Sequence, residues 1–447
     1  NRLGPAATDL LYDLALFSKG FLLQLSKEQR TNHSRWQDVC KALKHEECAI
    51  EFVQYKGKDE EERLACLLLK LNSLKPTFID LIATDSLQQT KVADGSTLKE
   101  CMLNDHGFSK DAIYSDTSLF HRIWTPKLMQ AIGRASKIYF APEGILHNLA
   151  IEYMIPDSTK DCYRLSSTRV LLNRNQQTDV HQFLLCGGPD FYYQTEPVQT
   201  DNDREAYYYL SQRNFYITDL PSSLREVDSI HAIRPHAHDT LLNGNQATDE
   251  TFARLAAQGF SAIHLSTHGY YAGVLNTGTD LKPTIHSHIL SESGLLFAGA
   301  AQSLGNHSFD PSLSDGILSA AELSRLKLNH VRLMVLSACQ TGLGVITSDG
   351  VYGVQRALKQ AGVCTLIVSL WSVDDYATYL LMHYFYEQLG QQSHPNIHQA
   401  FMNARKQLQT EQRTTGRFQA PSMRRHNISQ KYNAPQYTCP YIIIDAI

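Results

Sequence analysis

Short apolar runs alternate with longer amphipathic segments through the C-terminal part of the chain. Five runs have the length of buried strands: residues 183–186, 262–266, 333–337, 365–370 and a last run before the C-terminus. Three segments have helical spacing: residues 224–233, 350–361 (ending at Gly362) and 377–389. This alternation predicts an α/β fold with a mainly parallel sheet that is flanked by helices.

The N-terminal part has a different pattern. Residues 9–17 are apolar on nearly every side, which suits a helix packed between others. Ser34 and Gln37 have the spacing of a capping box and predict a short helix that reaches Leu43. A first α/β half is predicted next, with strands at residues 48–55, 77–82 and 137–141 and a helix around the acidic stretch 59–71.

The chain therefore divides into three predicted parts. N-terminal helices occupy residues 1–45, the first α/β half occupies residues 46–175, and a second α/β domain occupies residues 176–447. A length of 447 residues with 43% hydrophobic content is sufficient for several cores. The formal net charge of -4 argues against a nucleic-acid-binding surface as the main function.

The nine cysteines are scattered without a Cys-x-x-Cys pair. This pattern argues against a zinc site or a disulfide framework and favours a reducing, cytoplasmic environment. No apolar stretch approaches the roughly 18 residues that span a bilayer, and no signal-peptide pattern is present. The chain begins at Asn1 rather than at a methionine, so the possibility of an upstream targeting or repeat region stays open.

Two predicted strands are each followed by a residue able to take part in covalent catalysis. Cys339 follows the strand at 333–337, and His268 follows the strand at 262–266. Because the carboxyl ends of parallel strands lie at one edge of a sheet, we expect these side chains to meet. An imidazole beside a thiol favours the nucleophilic thiolate, so the pair predicts amide-bond cleavage. Taken singly, each residue also suits an inert core position.

These residues belong to a longer, ordered set of motifs: His-Gly at 268–269, Asp-Gly-Ile-Leu-Ser at 315–319, Ser-Ala-Cys-Gln-Thr-Gly at 337–342, Gly-Val-Tyr-Gly at 350–353 and Ser-Leu-Trp at 369–371. In this order they resemble the CHAT family of caspase-like peptidases, which are related to separase. The resemblance covers most of residues 130–447. It implies a cysteine endopeptidase with a caspase-like sheet, a degenerate α/β half at 46–175, and the end of a tetratricopeptide array at 1–45.

The C-terminus departs from the family's aromatic-rich closing strand. A proline forfeits a hydrogen bond of the strand ladder. We therefore expect Pro440 either on an edge strand or at the first residue of its strand.

In the predicted mechanism Cys339 attacks the scissile carbonyl as a thiolate, and His268 protonates the leaving amine. The backbone N–H groups of Gly269 and Cys339 form the predicted oxyanion hole. Ser266, Thr267 or a backbone carbonyl is the candidate group that orients the histidine. No metal or organic cofactor is expected.

The resemblance also implies a substrate-binding role for two acids. In relatives the corresponding strand and loop line the S1 pocket, so Asp374 or Asp375 is a candidate to receive a basic P1 side chain. The alternative is that both are first-turn acids that face the N-terminus of a helix.

Other chemistry has weaker support. Gly342 and Gly344 lack the third glycine of a dinucleotide-binding loop. Two pairs of histidines lie in polar loops and are expected at the surface: His236 with His238, and His286 with His288. The basic loop at 413–425 is expected to be a solvated surface. The alternative hypothesis is that the enzyme cleaves its own chain in this loop.

Two alternative functions stay open: a caspase-like signalling scaffold without turnover, and an enzyme that acts on a non-peptide amide or thioester. For the endopeptidase, the expected partners are a protein substrate and an upstream repeat region or a separate activator, but no nucleic acid or membrane. We expect the N-terminal helices to dock on the first half and to bias the loops that bear Gly269 and Cys339.

Overall fold

The computed structural model describes residues 5–25, 34–57, 59–103, 107–174, 180–193, 217–218, 220–233, 238–271, 290, 293–305, 315–339, 341–347, 350–390, 396–411 and 431–447. The helices in these ranges are α1 Pro5–Leu25, α2 Trp36–Ala42, α3 Thr84–Gln88, α4 Leu98–Leu103, α5 Gly107–Ser115, α6 Thr117–Ile123, α7 Pro126–Ile132, α8 Pro221–Ile233, α9 Asp249–Ala256, α10 Ala300–Gly305, α11 Ala320–Leu323, α12 Val354–Ala361, α13 Asp375–Gly390, α14 Ile397–Thr410 and α15 Pro435–Thr438.

The strands are β1 Glu47–Lys56, β2 Glu62–Lys70, β3 Thr77–Ala83, β4 Lys137–Ala141, β5 Asp161–Arg164, β6 Phe183–Pro189, β7 Thr240–Gly244, β8 Ala262–Ser266, β9 Gly269–Tyr271, β10 Ser293–Leu296, β11 Ile317–Ser319, β12 Leu333–Ser337, β13 Val345–Thr347, β14 Gly350–Tyr352, β15 Thr365–Ser369 and β16 Tyr441–Ile444. Short 3₁₀ helices span Gly144–Asn148, Ile151–Tyr153 and Thr168–Asn173.

One sheet of eleven strands forms the centre of the described structure. Its order is β3-β2-β1-β4-β5-β16-β15-β12-β8-β6-β7. The pairs β3-β2, β2-β1 and β16-β15 are antiparallel, and the other neighbouring pairs are parallel. The prediction of an α/β fold with a mainly parallel sheet is therefore confirmed.

Helices cover both faces of this sheet. Along β12, Met334 and Leu336 belong to one buried apolar cluster, which also contains residues of α9 and α12. Leu333 and Val335 point to the opposite face and belong to a cluster with residues of α8, α13 and α14. A strand buried on both faces has a mostly apolar sequence, which explains why the strands at 262–266 and 333–337 were predicted with their observed bounds. The one break in the first of these strands is His264, which is buried with its Nε2 2.6 Å from Glu226.

Three local predictions were wrong. Residues 62–70 form the strand β2 instead of a helix, because β2 pairs along its whole length with β1 and this pairing overrides the helix propensity of its leucines. The helix predicted at 350–361 begins only at Val354, after the strand β14, although it ends at Gly362 as expected, with a left-handed φ of 109°. Helix α2 begins one residue later than predicted, since the N–H of Arg35 donates to Asp38 at 3.0 Å.

The C-terminal strand β16 joins the strands of the first half to those of the second. It is parallel to β5, where Ile444 pairs with Arg164, and antiparallel to β15. The strands β1, β4 and β5 therefore run opposite to β15, β12, β8 and β6, and the two sets have their carboxyl ends at opposite edges of the sheet. Pro440 lies directly before this interior strand, which agrees with the first-residue alternative and not with an edge strand.

Asp445 strengthens this junction. Its carboxylate accepts hydrogen bonds from the N–H of Ser166 at 2.7 Å and from the hydroxyl of Ser166 at 2.8 Å. The ammonium group of Lys359 lies 2.6 Å from the same carboxylate. The residue itself has a left-handed φ of 63°, so the chain turns sharply at the end of β16.

The N-terminal helices pack on the first half. Tyr12 and Leu16 of α1 and Val39 of α2 share a buried cluster with Leu67 and Leu69 of β2. Residues 175–179 at the predicted boundary lie outside the described part of the chain, so the domain division at 175 stays a prediction. Among the described helices, none has both the length and the apolar character that a membrane crossing requires.

Candidate active site

The histidine and cysteine segments leave adjacent strands at the same edge. Strands β8 and β12 are parallel neighbours, and their last residues, Ser266 and Ser337, are register partners. His268 and Cys339 each follow two residues later. A Cβ added to Gly269 would overlap the carbonyl oxygen of Cys339, so the two segments approach more closely than any side chain on residue 269 would allow.

The loop that carries Cys339 is fastened to the end of β15. The hydroxyl of Ser369 donates to the carbonyl of Ala338 at 2.5 Å, and the N–H of Ser369 donates to the hydroxyl of Thr341 at 3.1 Å. The N–H of Gly342 donates to the carbonyl of Ser369 at 2.7 Å. Ser369 and Thr341 are buried. Thr341 and Gly342, which follow the cysteine, both form hydrogen bonds with Ser369. These bonds fix the turn after Cys339 to the end of β15.

The imidazole of His268 is oriented by a backbone carbonyl. Its Nε2 lies 2.7 Å from the carbonyl oxygen of Thr218. A carbonyl only accepts, so Nε2 carries a hydrogen and Nδ1 is the atom that exchanges the second proton. The ring of Phe191 lies 5.1 Å from the imidazole, centroid to centroid.

Of the two side-chain candidates for that orienting role, Thr267 has another partner. Thr267 donates its hydroxyl hydrogen to the carbonyl of Leu296. Ser266 is the last residue of β8, and its backbone carbonyl accepts from the hydroxyl of Ser223 at 2.6 Å. Thr218 lies fifty residues before the histidine in the sequence. It acts through its main chain, so no side-chain pattern could have identified it.

Burial and two polar neighbours act on His268 in opposite directions. Burial lowers the pKa of His268, because a low-dielectric surrounding disfavours the imidazolium. The bond to Thr218 and the negative charge of Asp375 raise that pKa but do not outweigh the burial. The imidazole is therefore biased toward the neutral form that accepts a proton from a thiol.

The N–H of Gly269 points away from the neighbouring strand β10. Gly269 pairs with Leu295 in an antiparallel ladder, and the N–H of Leu296 donates to the carbonyl of His268 at 2.9 Å. This pattern makes Gly269 and Leu295 a pair without mutual hydrogen bonds. The amide hydrogen of Gly269 is consequently directed to the side of β9 opposite β10.

The two acids at the start of α13 contact backbone donors. Asp374 is exposed, and its Oδ1 accepts from the N–H of Ala377 at 2.7 Å, which is the contact of a helix N-cap. Asp375 is half-buried, and its Oδ2 accepts from the N–H of Ser222 in α8 at 2.9 Å. A role for either carboxylate in substrate binding stays a prediction.

Within the described ranges, no group of three or more His, Cys, Asp or Glu residues is arranged so that it could hold a metal ion. His238 is exposed, whereas His236, His286 and His288 lie outside those ranges. The basic loop at 413–425 also lies outside them.

The family model for the CHAT domain matches residues 116–441. Tetratricopeptide repeat protein 28 of Mus musculus is 32% identical over 157 residues, which are 33% of this chain and 6% of that protein, and the Homo sapiens protein of the same name matches with the same values. The chain thus spans only about 6% of the length of these relatives.

Two solved structures are similar at low identity. The Saccharomyces cerevisiae separase-securin complex matches with a TM-score of 0.45 and 10% identity, over 90% of this chain and 32% of that chain. The Arg-specific cysteine proteinase gingipain R matches with a TM-score of 0.38 and 9% identity, over 73% of this chain and 66% of that chain.

Proposed function

The chain belongs to the CHAT domain family, and from that premise we propose that it is a cysteine endopeptidase in which Cys339 and His268 cleave a peptide bond of a protein substrate. One observation carries the proposal. Adjacent parallel strands direct the thiol and the imidazole to the same edge, where Ser369 holds the cysteine loop and the carbonyl of Thr218 orients the histidine.

The reaction follows from the proton positions. The Nε2–H group of His268 keeps its hydrogen bond to the carbonyl of Thr218, and Nδ1 takes the thiol proton of Cys339. The thiolate attacks the scissile carbonyl, and the N–H groups of Gly269 and Cys339 stabilise the negative charge on its oxygen. The imidazolium then protonates the leaving amine, and water cleaves the resulting thioester.

Asp374 is the better placed of the two acids for a basic P1 side chain. It is exposed, and only its Oδ1 is needed to cap α13. The change Asp374→Asn keeps the cap and removes the charge. We expect it to lower cleavage of Arg-P1 peptides about 100-fold and that of neutral-P1 peptides far less. Equal losses on both peptide types would limit Asp374 to capping the helix.

A partner surface is the second part of the proposal. Leu10, Leu14 and Phe17 of α1 are 60%, 51% and 49% exposed, and their spacing places them on one face of the helix. This apolar stripe supports docking of a repeat region or an activator, and it also favours the scaffold alternative. Residues 1–447 alone should turn over slowly. A rate near the typical enzyme value of about 10 s⁻¹ without any partner would argue against control by docking.

Peptide cleavage by two alanine variants tests the enzymatic proposal. Cys339→Ala and His268→Ala should each lower kcat/KM by about 1,000-fold or more while the melting temperature changes little, because strand-end loop residues contribute chemistry more than packing. Cys364→Ala is the matched control, since Cys364 is also only half-buried. Activity of Cys339→Ala within about tenfold of the unmodified chain would refute the assignment.

A further inference from the structure

Asp375 connects α13 to the segment that orients the catalytic histidine. Its Oδ2 accepts from the N–H of Ser222 in the first turn of α8 at 2.9 Å. Thr218, whose carbonyl oxygen lies 2.7 Å from Nε2 of His268, stands just before this turn. The start of α8 is therefore one anchor of the segment that carries the Thr218 carbonyl. A second anchor is the hydroxyl of Tyr192, which donates to the carbonyl of Ile217 at 2.8 Å.

The start of α8 is also tied to the strands beneath it. The hydroxyl of Ser223 donates to the carbonyl of Ser266 at 2.6 Å and accepts from the N–H of Gly188 at 2.7 Å. Ser222 and Ser223 are buried, so these bonds are shielded from water. Ser223 fixes this turn to β6 and β8, and Asp375 fixes it to α13.

We propose that Asp375 is a positioning residue for the histidine: its carboxylate holds the first turn of α8, and with it the Thr218 carbonyl that selects the ring orientation and tautomer of His268. This role rests on the proposed peptidase function. It differs from a substrate-binding role, because a positioning residue affects the turnover of every substrate, whereas an S1 carboxylate affects the binding of basic side chains.

The electrostatics agree with this geometry. Among the described residues, the groups that act on the imidazole are the Asp375 carboxylate of α13, the Thr218 carbonyl and the Phe191 ring. The Asp375 charge raises the pKa of His268 against the effect of burial. Removal of that charge should lower this pKa further.

Two substitutions separate the hydrogen bond from the charge. Asp375→Asn keeps an acceptor for the Ser222 N–H and removes the charge, whereas Asp375→Ala removes both. Asp228→Asn is the control, because Asp228 is an exposed acid on the same helix α8. All variants are made in residues 1–447.

The first measurement is the ¹⁵N NMR titration of the His268 ring in a Cys339→Ala background. We expect Asp375→Asn to lower the pKa of His268 and to keep the hydrogen on Nε2. Asp375→Ala should lower the pKa and lose the single tautomer. Asp228→Asn should change neither property. An unchanged pKa and tautomer in Asp375→Ala would overturn the proposal.

The second measurement is turnover with an intact Cys339. Asp375→Ala should lower kcat about 10- to 100-fold on both Arg-P1 and Leu-P1 peptides, with KM changed less than about threefold. A rise in KM confined to Arg-P1 peptides would instead assign Asp375 to the S1 pocket. The titration needs no turnover, so failure of the peptidase function and failure of this proposal give different results.

Discussion

The two carboxyl edges of the central sheet hold different kinds of titratable group. At the edge of the first half, Lys19 of α1 places its ammonium group 3.0 Å from Glu51, 2.7 Å from the carbonyl of Phe52 and 3.2 Å from the carbonyl of Ala141. At the opposite edge, the second half presents His268 and Cys339, which are both only half-buried. Among the described residues, Lys19 fills the first edge, which we call the filled edge, whereas His268 and Cys339 are partly exposed at the second, which we call the open edge.

The filled edge is a closed polar network. Glu51 is fully buried and also accepts from the N–H and the hydroxyl of Thr168, both at 2.7 Å. Glu143 lies 3.5 Å from Lys19, and burial raises the pKa of Glu143. Strands end at both edges of the sheet, but in the described part of the chain only one edge carries a cysteine and a histidine side by side. A strand end in a parallel sheet is therefore not sufficient for a catalytic site. Chemistry additionally requires a reactive side chain that a substrate can reach.

The largest effect on stability is expected at the filled edge. Lys19→Met leaves the buried carboxylate of Glu51 without its ammonium partner, so the free energy of unfolding should fall by about 3–5 kcal/mol. Lys56→Met is the control, because Lys56 pairs with Glu60 at the surface and should change stability by less than about 1 kcal/mol. Urea denaturation measures both values. Equal effects of the two variants would show that the filled edge is no more important than a surface ion pair.

A smaller, pH-dependent effect is expected at Asp315, which precedes β11. Burial raises the pKa of Asp315 to about 8, and the nearby charges of Asp249 and Glu322 contribute to the rise. The folded state therefore holds a proton that the unfolded state releases near pH 4, so this stabilisation is complete below about pH 4 and is lost as the pH rises to about 8.

The substitution Asp315→Asn should remove this pH dependence. Between pH 6 and 9 the unmodified chain should lose roughly 2–3 kcal/mol of stability from this group, and the variant should lose correspondingly less. Urea denaturation at both pH values is the measurement. Parallel losses in the two proteins would show that Asp315 does not hold a proton in the folded state.

The smallest effect on stability is expected in the loop of the open edge. Ser369→Ala removes the hydroxyl that donates to Ala338, so stability should fall by about 1 kcal/mol and kcat by about tenfold. Thr365→Val on the same strand removes a comparable bond to the carbonyl of Asp445. That control should cost a similar stability and leave kcat unchanged. A loss of kcat in both variants would make the effect one of general strand stability.

Continuous apolar runs made much of the second half predictable. The sequence of β8 and β12 is buried on both faces, so their bounds and the residues that follow them could be inferred without a structure. The strand β2 could not be inferred, because the local propensity of its leucines favours a helix and only the pairing with β1 makes this segment a strand. The reversal of strand direction depends on the contacts of β16, and the Thr218 carbonyl is a backbone atom, so neither has a sequence signature.

Covalent labelling with an electrophilic peptide probe examines the open edge itself. The probe needs one reaction per molecule, so it reports an intact nucleophile even when turnover is slow. Mass mapping of labelled residues 1–447 should find the adduct on Cys339, with none on the buried cysteines or on Cys364. Labelling should disappear in Cys339→Ala and slow by about 100-fold or more in His268→Ala. Labelling that is equally fast without the histidine, or that is found on other cysteines, would contradict a catalytic pair at this edge.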